Sequence, residues 1–262
     1  MGAQPIRFDD GDAYERLMGV WSGIAGQVFL DWLSPAPGQR WADIGCGTGA
    51  FTQLILRNCA PAKVDGIDQS DGQLAYARTR SGVQGAVFQH GSAMSLPYAD
   101  ASFDIAVMAL VIHFVPDPAK GVAEMARVVR PGGWVTAYVW DDEGGGSPTQ
   151  SLQTAIILEG GDDVRPPSTE ASRMDRLLDL WTGAGLHDVD SRVIRVERTF
   201  DDFESFWSAT SGSGRPKVSL ASLGPEATER VKTRVRAALP PDAAGRITYA
   251  AQANAVRGRV PG

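Results

Sequence analysis

A short strand pattern runs directly into a glycine turn and then into a helix pattern near the start of the chain. The apolar run Arg40–Ile44 is followed at once by Gly-Cys-Gly-Thr-Gly at residues 45–49, and helical spacing begins at Ala50. Glycines at alternate positions permit a sharp turn and let a ligand approach the backbone, where a side chain would block it. The N-terminus of the following helix offers unpaired N–H groups to ligand oxygens. The pattern predicts a ligand site at this turn, unless the glycines only tighten the packing.

Strand and helix patterns alternate from residue 40 to residue 140. Strands are predicted at residues 40–44, 63–68, 85–89, 103–110 and 134–140, and helices at residues 50–57, 71–79 and 119–129. The fourth strand is almost wholly apolar, which is typical of a strand covered on both faces. This alternation predicts an α/β fold, in which a parallel sheet carries helices on both faces.

The flanking segments are less regular. A helix is predicted at residues 12–33, where apolar residues recur at three- and four-residue steps until Pro35 ends the pattern. Further helices are predicted at residues 174–184, 201–209 and 225–239, and strands at residues 189–196 and 247–256. Loops are predicted at residues 144–147, 160–168 and 211–216, and a Pro-Gly-Gly stop ends the helix before residue 134.

Composition limits the functional classes. The chain has 262 residues, 43% of them hydrophobic, which is ordinary for a globular protein of one large or two small domains. Its two cysteines exclude a disulfide framework and favour a reducing compartment. The net charge of −6 argues against a nucleic-acid partner. The most apolar stretch is too short for a membrane span, and the N-terminus lacks a signal-peptide pattern, so a soluble, cytoplasmic protein is expected.

Two carboxylates near the turn narrow the choice of ligand. Asp68 ends the second strand, where a carboxylate can accept hydrogen bonds from both hydroxyls of a ribose. Asp43 precedes the first glycine by two residues and would repel the pyrophosphate of a dinucleotide. The glycine spacing G-x-G-x-G also differs from the G-x-G-x-x-G of dinucleotide sites. S-adenosylmethionine (SAM), which has an ammonium and a ribose but no phosphate, fits better than NAD, although an NAD-dependent oxidoreductase stays as a less favoured alternative.

Four ordered motifs resemble those of a known enzyme family. They are Asp-Ile-Gly-Cys-Gly-Thr-Gly at residues 43–49, Gly-Ile-Asp-Gln-Ser at residues 66–70, and the segments at residues 91–104 and 124–133. Together they resemble the class I SAM-dependent methyltransferases, and within these the methyltransferase type 11 (ubiquinone/menaquinone-biosynthesis-like) group. The resemblance implies one domain over residues 1–262, with a Rossmann-like, seven-stranded, mostly parallel sheet and a last antiparallel strand. It also implies a cofactor core at about residues 38–140, a lid helix at residues 12–33, and cap insertions at about residues 144–173 and 201–245.

The resemblance assigns a cofactor site by position. Asp43 would face the ammonium of SAM, and Asp68 would hold the ribose hydroxyls. Related members often carry an acid where Ser92 stands, so this hydroxyl would make a weaker contact with the adenine amino group. In the lid helix, Tyr14 and Ser22 could form hydrogen bonds with the carboxylate of SAM, unless the helix only packs. The residues implied are Tyr14, Met18, Trp21, Ser22, Asp43, Gly45, Cys46, Gly47, Asp68, Gln69, Ser92, Ala93, Met94, Ala109 and Leu110.

Chemistry at this site requires alignment more than activation, because the methyl group of a sulfonium is already electrophilic. His113 follows the fourth strand and could remove a proton from a hydroxyl acceptor or simply form part of the pocket wall. No His, Asp and Glu residues have metal-ligand spacing, so no metal is expected. The acidic run at residues 141–143 is expected to be a solvated loop. Four aromatic residues either line an apolar substrate pocket or belong to the core: Trp140, Phe203, Phe206 and Trp207.

The predicted function is therefore methyl transfer from SAM, by in-line displacement, to oxygen, nitrogen or carbon of a small-molecule acceptor, with S-adenosylhomocysteine as the product. A module that binds SAM without transferring its methyl group is the alternative.

Overall fold

The computed structural model describes residues 18–212 and 214–262. Tyr14 and residues 12–17 of the predicted lid helix lie outside the described residues. The helices are α1 (Val20–Leu33), α2 (Ala50–Asn58), α3 (Asp71–Thr79), α4 (Pro118–Val128), α5 (Gln150–Leu158), α6 (Met174–Gly183), α7 (Phe203–Ser211), α8 (Gly214–Leu220) and α9 (Pro225–Ala238), with short 3₁₀ helices at Ile112–Phe114 and Thr169–Ser172. The strands are β1 (Arg40–Ile44), β2 (Lys63–Asp68), β3 (Ala86–His90), β4 (Phe103–Ala109), β5 (Val129–Trp140), β6 (His187–Phe200) and β7 (Ile247–Arg259). Among the described residues, no helix is long and apolar enough to cross a membrane.

The strands form one sheet in the order β3-β2-β1-β4-β5-β7-β6. Strands β1 to β5 pair in parallel, and β7 pairs antiparallel with both β5 and β6. The predicted α/β fold, with a mostly parallel sheet and a last antiparallel strand, is therefore confirmed. The strand order reverses between β1 and β4, so the carboxyl ends of these two strands open a crevice. Ligands bind at such a crevice in sheets of this kind.

Apolar side chains cover both faces of the sheet. All of β4 except Ala109 is buried, as its apolar sequence predicts. On one face, α1 buries Trp21, Ala25 and Phe29, which are four residues apart and therefore lie on one side of the helix. On the other face, α6 buries Trp181 in a second cluster of apolar side chains. The helices therefore hold the sheet from both sides and fix the ends of its strands.

Four helices from the two predicted insertions pack against one another, and we refer to α5, α7, α8 and α9 as the cap. Helix α5 contacts α8 and α9, while α7 contacts α8 and β6. Glu159, directly after α5, forms ion pairs with Arg230 at 2.8 Å and Arg234 at 2.9 Å, both on α9. The cap is thus a packed unit joined to the antiparallel edge of the sheet.

Two cap helices differ from the sequence expectation. The pattern predicted no helix at residues 150–158 and a loop at residues 211–216, where α8 begins. Helix α5 is short and contains Thr and Ile, so packing of Leu152 and Ile156 within the cap stabilises it more than intrinsic propensity does. Pro216 lies in the first turn of α8, where the missing N–H of proline has no intrahelical partner to lose.

Three strands are longer than predicted. Strand β5 begins at Val129, so the Pro-Gly-Gly segment expected to separate helix from strand is part of the strand. Gly133 permits this, because a Cβ there would lie 2.6 Å from the carbonyl oxygen of Asp104. Strands β6 and β7 pair from His187–Arg259 to Phe200–Ile247. Outside residues 189–196, His187, Asp188 and Glu197 of β6 are exposed and polar, so the alternation of apolar residues that predicts a strand extends over only part of it.

Candidate functional site

Gly45, Gly47 and Gly49 adopt left-handed backbone conformations in the turn after β1, with φ of +74°, +53° and +77°. A Cβ on Gly45 would lie 2.5 Å from Cγ1 of Val111, so no larger residue fits there. The amide of Gly45 donates to the carbonyl of Ile67 at 2.7 Å, which ties the turn to the end of β2. The predicted strand, glycine turn and helix are confirmed, and the turn depends on residues without a side chain.

Backbone amides orient the carboxylate of Asp68 at the end of β2. Its Oδ2 accepts from the N–H of Gly47 at 2.9 Å, and its Oδ1 accepts from the N–H of Ser70 at 2.8 Å. Each carboxylate oxygen can accept a further hydrogen bond, and the residue is only partly buried. Asp68 therefore stands beside the glycine turn with its oxygens fixed and with acceptor capacity for two ligand hydroxyls.

Gln69 and Ser92 connect the ends of β2 and β3. Nε2 of Gln69 donates to Oγ of Ser92 at 3.3 Å, and the N–H of Met94 donates to the same oxygen at 3.2 Å. Ala93 is buried, and Met94 packs against the same apolar cluster. The segment expected to contact adenine therefore lies next to Asp68, with the Ser92 hydroxyl held by its own protein neighbours.

Asp43 is fully buried in β1. The hydroxyl of Thr52, on α2, donates to its Oδ2 at 2.6 Å, whereas Oδ1 has no hydrogen-bond partner among the described residues. Burial raises the pKa of Asp43 to about 7 against the effect of the Thr52 hydrogen bond, and the charge of Asp68 also raises it. A buried carboxylate with an unpaired oxygen is costly, so a cationic ligand group beside β1 would stabilise it.

The affinity for SAM is expected to increase as the pH rises from about 5.5 to about 7, because a cation prefers the ionised carboxylate of Asp43. Below pH 7, binding should also release a proton from this residue. Calorimetric titrations in two buffers of different ionisation enthalpy measure the affinity and the proton release together. Asp43→Asn is the matched control and should bind SAM with no such pH dependence. An unchanged pH dependence in this variant would assign the effect to another group.

The described part of the predicted lid helix brings Trp21 to the end of β5. The ring of Trp21 lies edge-on to those of Trp140 and Tyr249, with 6.3 Å between the centroids of each pair. Nε1 of both tryptophans and Oγ of Ser22 are buried without a hydrogen-bond partner in the described part of the chain. Met18 packs against the same cluster. Because buried donors without acceptors are costly, this region fits a ligand that supplies oxygen atoms.

The chain turns sharply at Leu110, directly after β4. Leu110 has φ of +63°, a left-handed conformation that is uncommon for a residue with a large side chain, and its N–H donates to the carbonyl of Tyr138 at 2.8 Å. Such local strain concentrates at functional sites. Val111, next in the chain, packs on Gly45. Ala109 and Leu110 therefore lie beside the glycine turn.

His113 lies in the 3₁₀ helix Ile112–Phe114 that follows this turn. Its side chain is 5% exposed, and its Nδ1 lies 3.9 Å from Oδ2 of Asp142. Burial lowers the pKa of His113 to about 4; Asp142 opposes this decrease and Arg215 adds to it. The imidazole is therefore neutral at physiological pH and able to accept a proton.

The expectation of a solvated acidic loop after β5 is wrong for Asp142. Its side chain is 7% exposed, and its Oδ1 lies 3.4 Å from Nη1 of Arg215, on α8 of the cap. Four residues of the site were not predicted from the sequence: Thr52, Val111, Asp142 and Arg215. The position of Asp142 after a parallel strand could have indicated it, whereas Arg215 lies in a segment predicted to be a loop.

Other candidate residues belong to the core or the surface. His90 and His187 are exposed. Within residues 18–212 and 214–262, no group of three or more His, Cys, Asp or Glu side chains is placed to hold a metal ion. The aromatic residues that could line a pocket or fill the core are buried in the core or partly buried against it: Trp140, Phe203, Phe206 and Trp207.

The described residues fit SAM. The buried carboxylate of Asp43 has one unpaired oxygen, which suits an ammonium. The carboxylate of Asp68 is oriented to accept from two hydroxyls, and the unpaired hydroxyl of Ser22 suits a carboxylate. The glycine turn presents bare backbone beside Asp68. A seven-stranded sheet of this order, with such a site at the ends of β1 and β2, is the arrangement of a class I SAM-dependent methyltransferase.

Comparison with known proteins agrees with this class. A family model described as "Methyltransferase domain", of the type 11 group, matches residues 42–137. The O-methyltransferase cnsE of Penicillium expansum is 32% identical over 206 residues, which cover 75% of this chain and 71% of that protein. The ubiquinone/menaquinone biosynthesis C-methyltransferase UbiE of Dinoroseobacter shibae is 29% identical over 242 residues, which cover 85% of this chain and 90% of that protein.

The fold is also shared with solved structures. The YcgJ protein from Bacillus subtilis superposes with a TM-score of 0.60 at 17% identity, covering 91% of this chain and 98% of that chain. The chain belongs to the class I SAM-dependent methyltransferases of the type 11 group, and it is an enzyme that transfers the methyl group of SAM to a small molecule.

Proposed function

We propose that this methyltransferase acts on a hydroxyl oxygen of its small acceptor, and that His113 takes the proton that the hydroxyl loses. The observation that carries the proposal is a buried imidazole just after β4, with its Nδ1 3.9 Å from the Asp142 carboxylate. Burial lowers its pKa to about 4, which keeps the ring unprotonated at physiological pH and makes it a weaker base than an exposed histidine. A general base accelerates the reaction only if the acceptor must lose a proton, as a hydroxyl must. The 32% identity with an O-methyltransferase over most of the chain adds support.

In this proposal, the residues at the crevice hold the cofactor. Asp43 contacts the ammonium, Asp68 accepts hydrogen bonds from the ribose hydroxyls, and Ser22 donates to the carboxylate. When bound, SAM supplies a methyl group on a positively charged sulfur. The chain's own residues align the acceptor oxygen, exclude water and receive one proton, and alignment alone can lower the barrier by about 7–11 kcal/mol. The other residues assigned to this site are Tyr14, Met18, Trp21, Gly45, Cys46, Gly47, Gln69, Ser92, Ala93, Met94, Ala109 and Leu110.

The acceptor in this proposal is flat and largely apolar, with a further oxygen atom besides the one that is methylated. Trp21, Trp140 and Tyr249 form an aromatic cluster at the end of β5, and the ring centroid of Phe206, in the cap, lies 5.5 Å from that of Tyr249. Nε1 of Trp140 and Oγ of Ser151 are buried and unpaired within the described ranges. Leaving such a group unpaired costs about 1–3 kcal/mol, which an acceptor oxygen would offset.

The whole chain, residues 1–262, acts as one cytoplasmic domain in this proposal, with a small molecule rather than nucleic acid as its partner. Along the sequence, α5 lies between β5 and β6, and α7, α8 and α9 lie between β6 and β7. The cap is therefore inserted between strands of one sheet, which supports a single domain. Cys46 and Cys59 are buried free thiols, as suits a reducing compartment. The net charge of −6 disfavours a phosphate backbone as a partner.

A panel of paired acceptors tests the oxygen assignment. We expect the purified protein to methylate hydroxylated aromatic compounds and to leave the same compounds without the hydroxyl unmodified. Products made with methyl-deuterated SAM, identified by mass spectrometry and NMR, locate the transferred methyl group. Calorimetry with SAM, S-adenosylhomocysteine and NAD is the control, and only the first two should bind. Transfer only to carbon or nitrogen would contradict the assignment.

A further inference from the structure

His113, Asp142 and Arg215 form a buried row of side chains where the cap meets the parallel sheet. Nδ1 of His113 lies 3.9 Å from Oδ2 of Asp142, and Nη1 of Arg215 lies 3.4 Å from Oδ1 of the same carboxylate. The three side chains are 5%, 7% and 17% exposed. The carboxylate therefore has a histidine on one oxygen and an arginine on the other.

Both cap insertions meet at this row. Nε of Arg215, on α8, donates to the carbonyl of Val164 at 2.7 Å, which joins the second insertion to the first. The N–H of Ser168, in the first insertion, donates to the carbonyl of His113 at 3.1 Å, and its hydroxyl donates to that of Val115 at 2.8 Å. The first insertion thus holds both the backbone of His113 and the guanidinium of Arg215, which pairs with Asp142.

The physical role of the arginine follows from burial. A buried carboxylate is costly unless it is paired, and Arg215 supplies the pairing charge from a planar group that keeps its orientation. With Oδ1 held by Arg215, Oδ2 stays on the Nδ1 side of the imidazole. At 3.9 Å the contact is electrostatic and not a hydrogen bond, and Nδ1 has no hydrogen-bond partner among the described residues. The negative charge favours the tautomer that carries its proton on Nδ1, and this tautomer leaves Nε2 as the proton-accepting nitrogen.

We propose that Arg215 is a positioning residue: it holds Asp142 against the Nδ1 edge of His113, so that the proton-accepting histidine is oriented only when the cap is packed on the sheet. This inference rests on the proposed role of His113. As the acceptor oxygen displaced sulfur from the methyl carbon of SAM, the carbon–sulfur electron pair would stay on the sulfur of S-adenosylhomocysteine, and the hydroxyl proton would pass to Nε2 of His113. Arg215 itself exchanges no proton.

The charged groups around His113 are few in the described part of the chain. Asp142 faces it from the end of β5, and Arg215 faces it from α8. Behind Arg215, Asp163 lies 3.9 Å from Nη2. Arg165 forms ion pairs with Asp163 at 2.6 Å and with Glu143 at 3.0 Å, so its positive charge offsets the negative charge of these two carboxylates.

A double-mutant cycle with a histidine titration tests the inference. Arg215→Met and Asp142→Asn should each lower kcat by about tenfold, with the dissociation constant of SAM unchanged. The double variant should be no slower than Asp142→Asn alone, because Arg215 acts through Asp142. The chain has three histidines, so NMR can follow each ring. The pKa of His113 should rise in Arg215→Met and fall further in Asp142→Asn.

Arg230→Met is the matched control, because it removes a cap arginine from an ion pair with Glu159, which lies elsewhere in the cap. It should change neither kcat nor the His113 titration. Arg215→Lys keeps the positive charge but lacks the planar guanidinium, and it should retain part of the kcat. This variant provides the test if Arg215→Met does not fold. The positioning role would be overturned if the kcat losses of the two single variants multiplied in the double variant. It would also be overturned if Arg215→Met had a lower melting temperature and an unchanged His113 titration. If His113→Gln keeps full activity, the proposed function fails instead, and the titration still reports whether Arg215 acts on the ring.

Discussion

Replacing His113 with glutamine is expected to lower kcat by about 10²–10⁴-fold with hydroxyl acceptors, while the dissociation constant of SAM stays the same. Glutamine is similar in size and can remain in the buried site near Asp142, but it cannot take up a proton. In the unmodified enzyme, the pKa of about 4 keeps the imidazole unprotonated at neutral pH. With SAM at saturating concentration, its kcat should therefore fall only when acid protonates the ring. Initial rates and SAM titrations on the same preparation measure both quantities.

The acidity of the acceptor offers an internal check on the same variant. Phenols that are already ionised at the assay pH need no base, so His113→Gln should slow them much less than weakly acidic phenols. His187→Gln is the matched control, since that side chain is 49% exposed, and it should leave kcat unchanged. Full activity of His113→Gln towards weakly acidic phenols would show that this histidine only forms part of the pocket wall.

Asp68→Ala is expected to weaken SAM binding by at least about tenfold. A hydrogen bond to a charged group contributes about 1.5–3 kcal/mol, and about 1.4 kcal/mol corresponds to a factor of ten. The substitution also removes the acceptor for the N–H groups of Gly47 and Ser70, so the glycine turn loses one of its links to β2 and keeps the bond from Gly45 to Ile67. Calorimetric titration with SAM measures the effect directly.

Two further variants separate the ligand contact from the fold. Asp71→Ala removes an exposed carboxylate three residues later, in the first turn of α3, and should bind SAM normally. Asp68→Asn keeps one oxygen acceptor and should have an intermediate affinity. A folded Asp68→Ala variant with unchanged affinity would mean that the ribose hydroxyls are held elsewhere.

The cofactor-binding half of the molecule could be predicted from local patterns because each of its features is encoded over a few residues. Gly45 and Gly47 are recognisable as a turn, since glycine adopts left-handed backbone angles more readily than any other residue. Asp68 is recognisable because it ends an apolar strand pattern. Its hydrogen bonds to Gly47 and Ser70 were not predictable, because they depend on how the end of β2 meets the turn after β1.

The cap could not be predicted in the same way. Helices α5 and α8 are short, and each contains some residues of weak helix propensity, so tertiary packing stabilises them. The sequence pattern places Asp142 in an exposed acidic run. In the folded protein, Arg215 on α8 covers it. Burial and the pairing of charges are properties of segments that are far apart in the chain, and a local pattern carries little information about them.

The sequence alone determined the strand and helix order from β1 to β5, the glycine turn, and the class of cofactor, because these depend on backbone angles and periodicity within short segments. The tertiary structure alone decided that Asp43 is a buried carboxylate with one unpaired oxygen. It also decided that His113 is neutral, and that Arg215 and Asp142 stand behind it. The physical reason is that the pKa of a side chain depends on the solvent and charges it loses or gains on folding, and these come from segments that meet only in the folded chain.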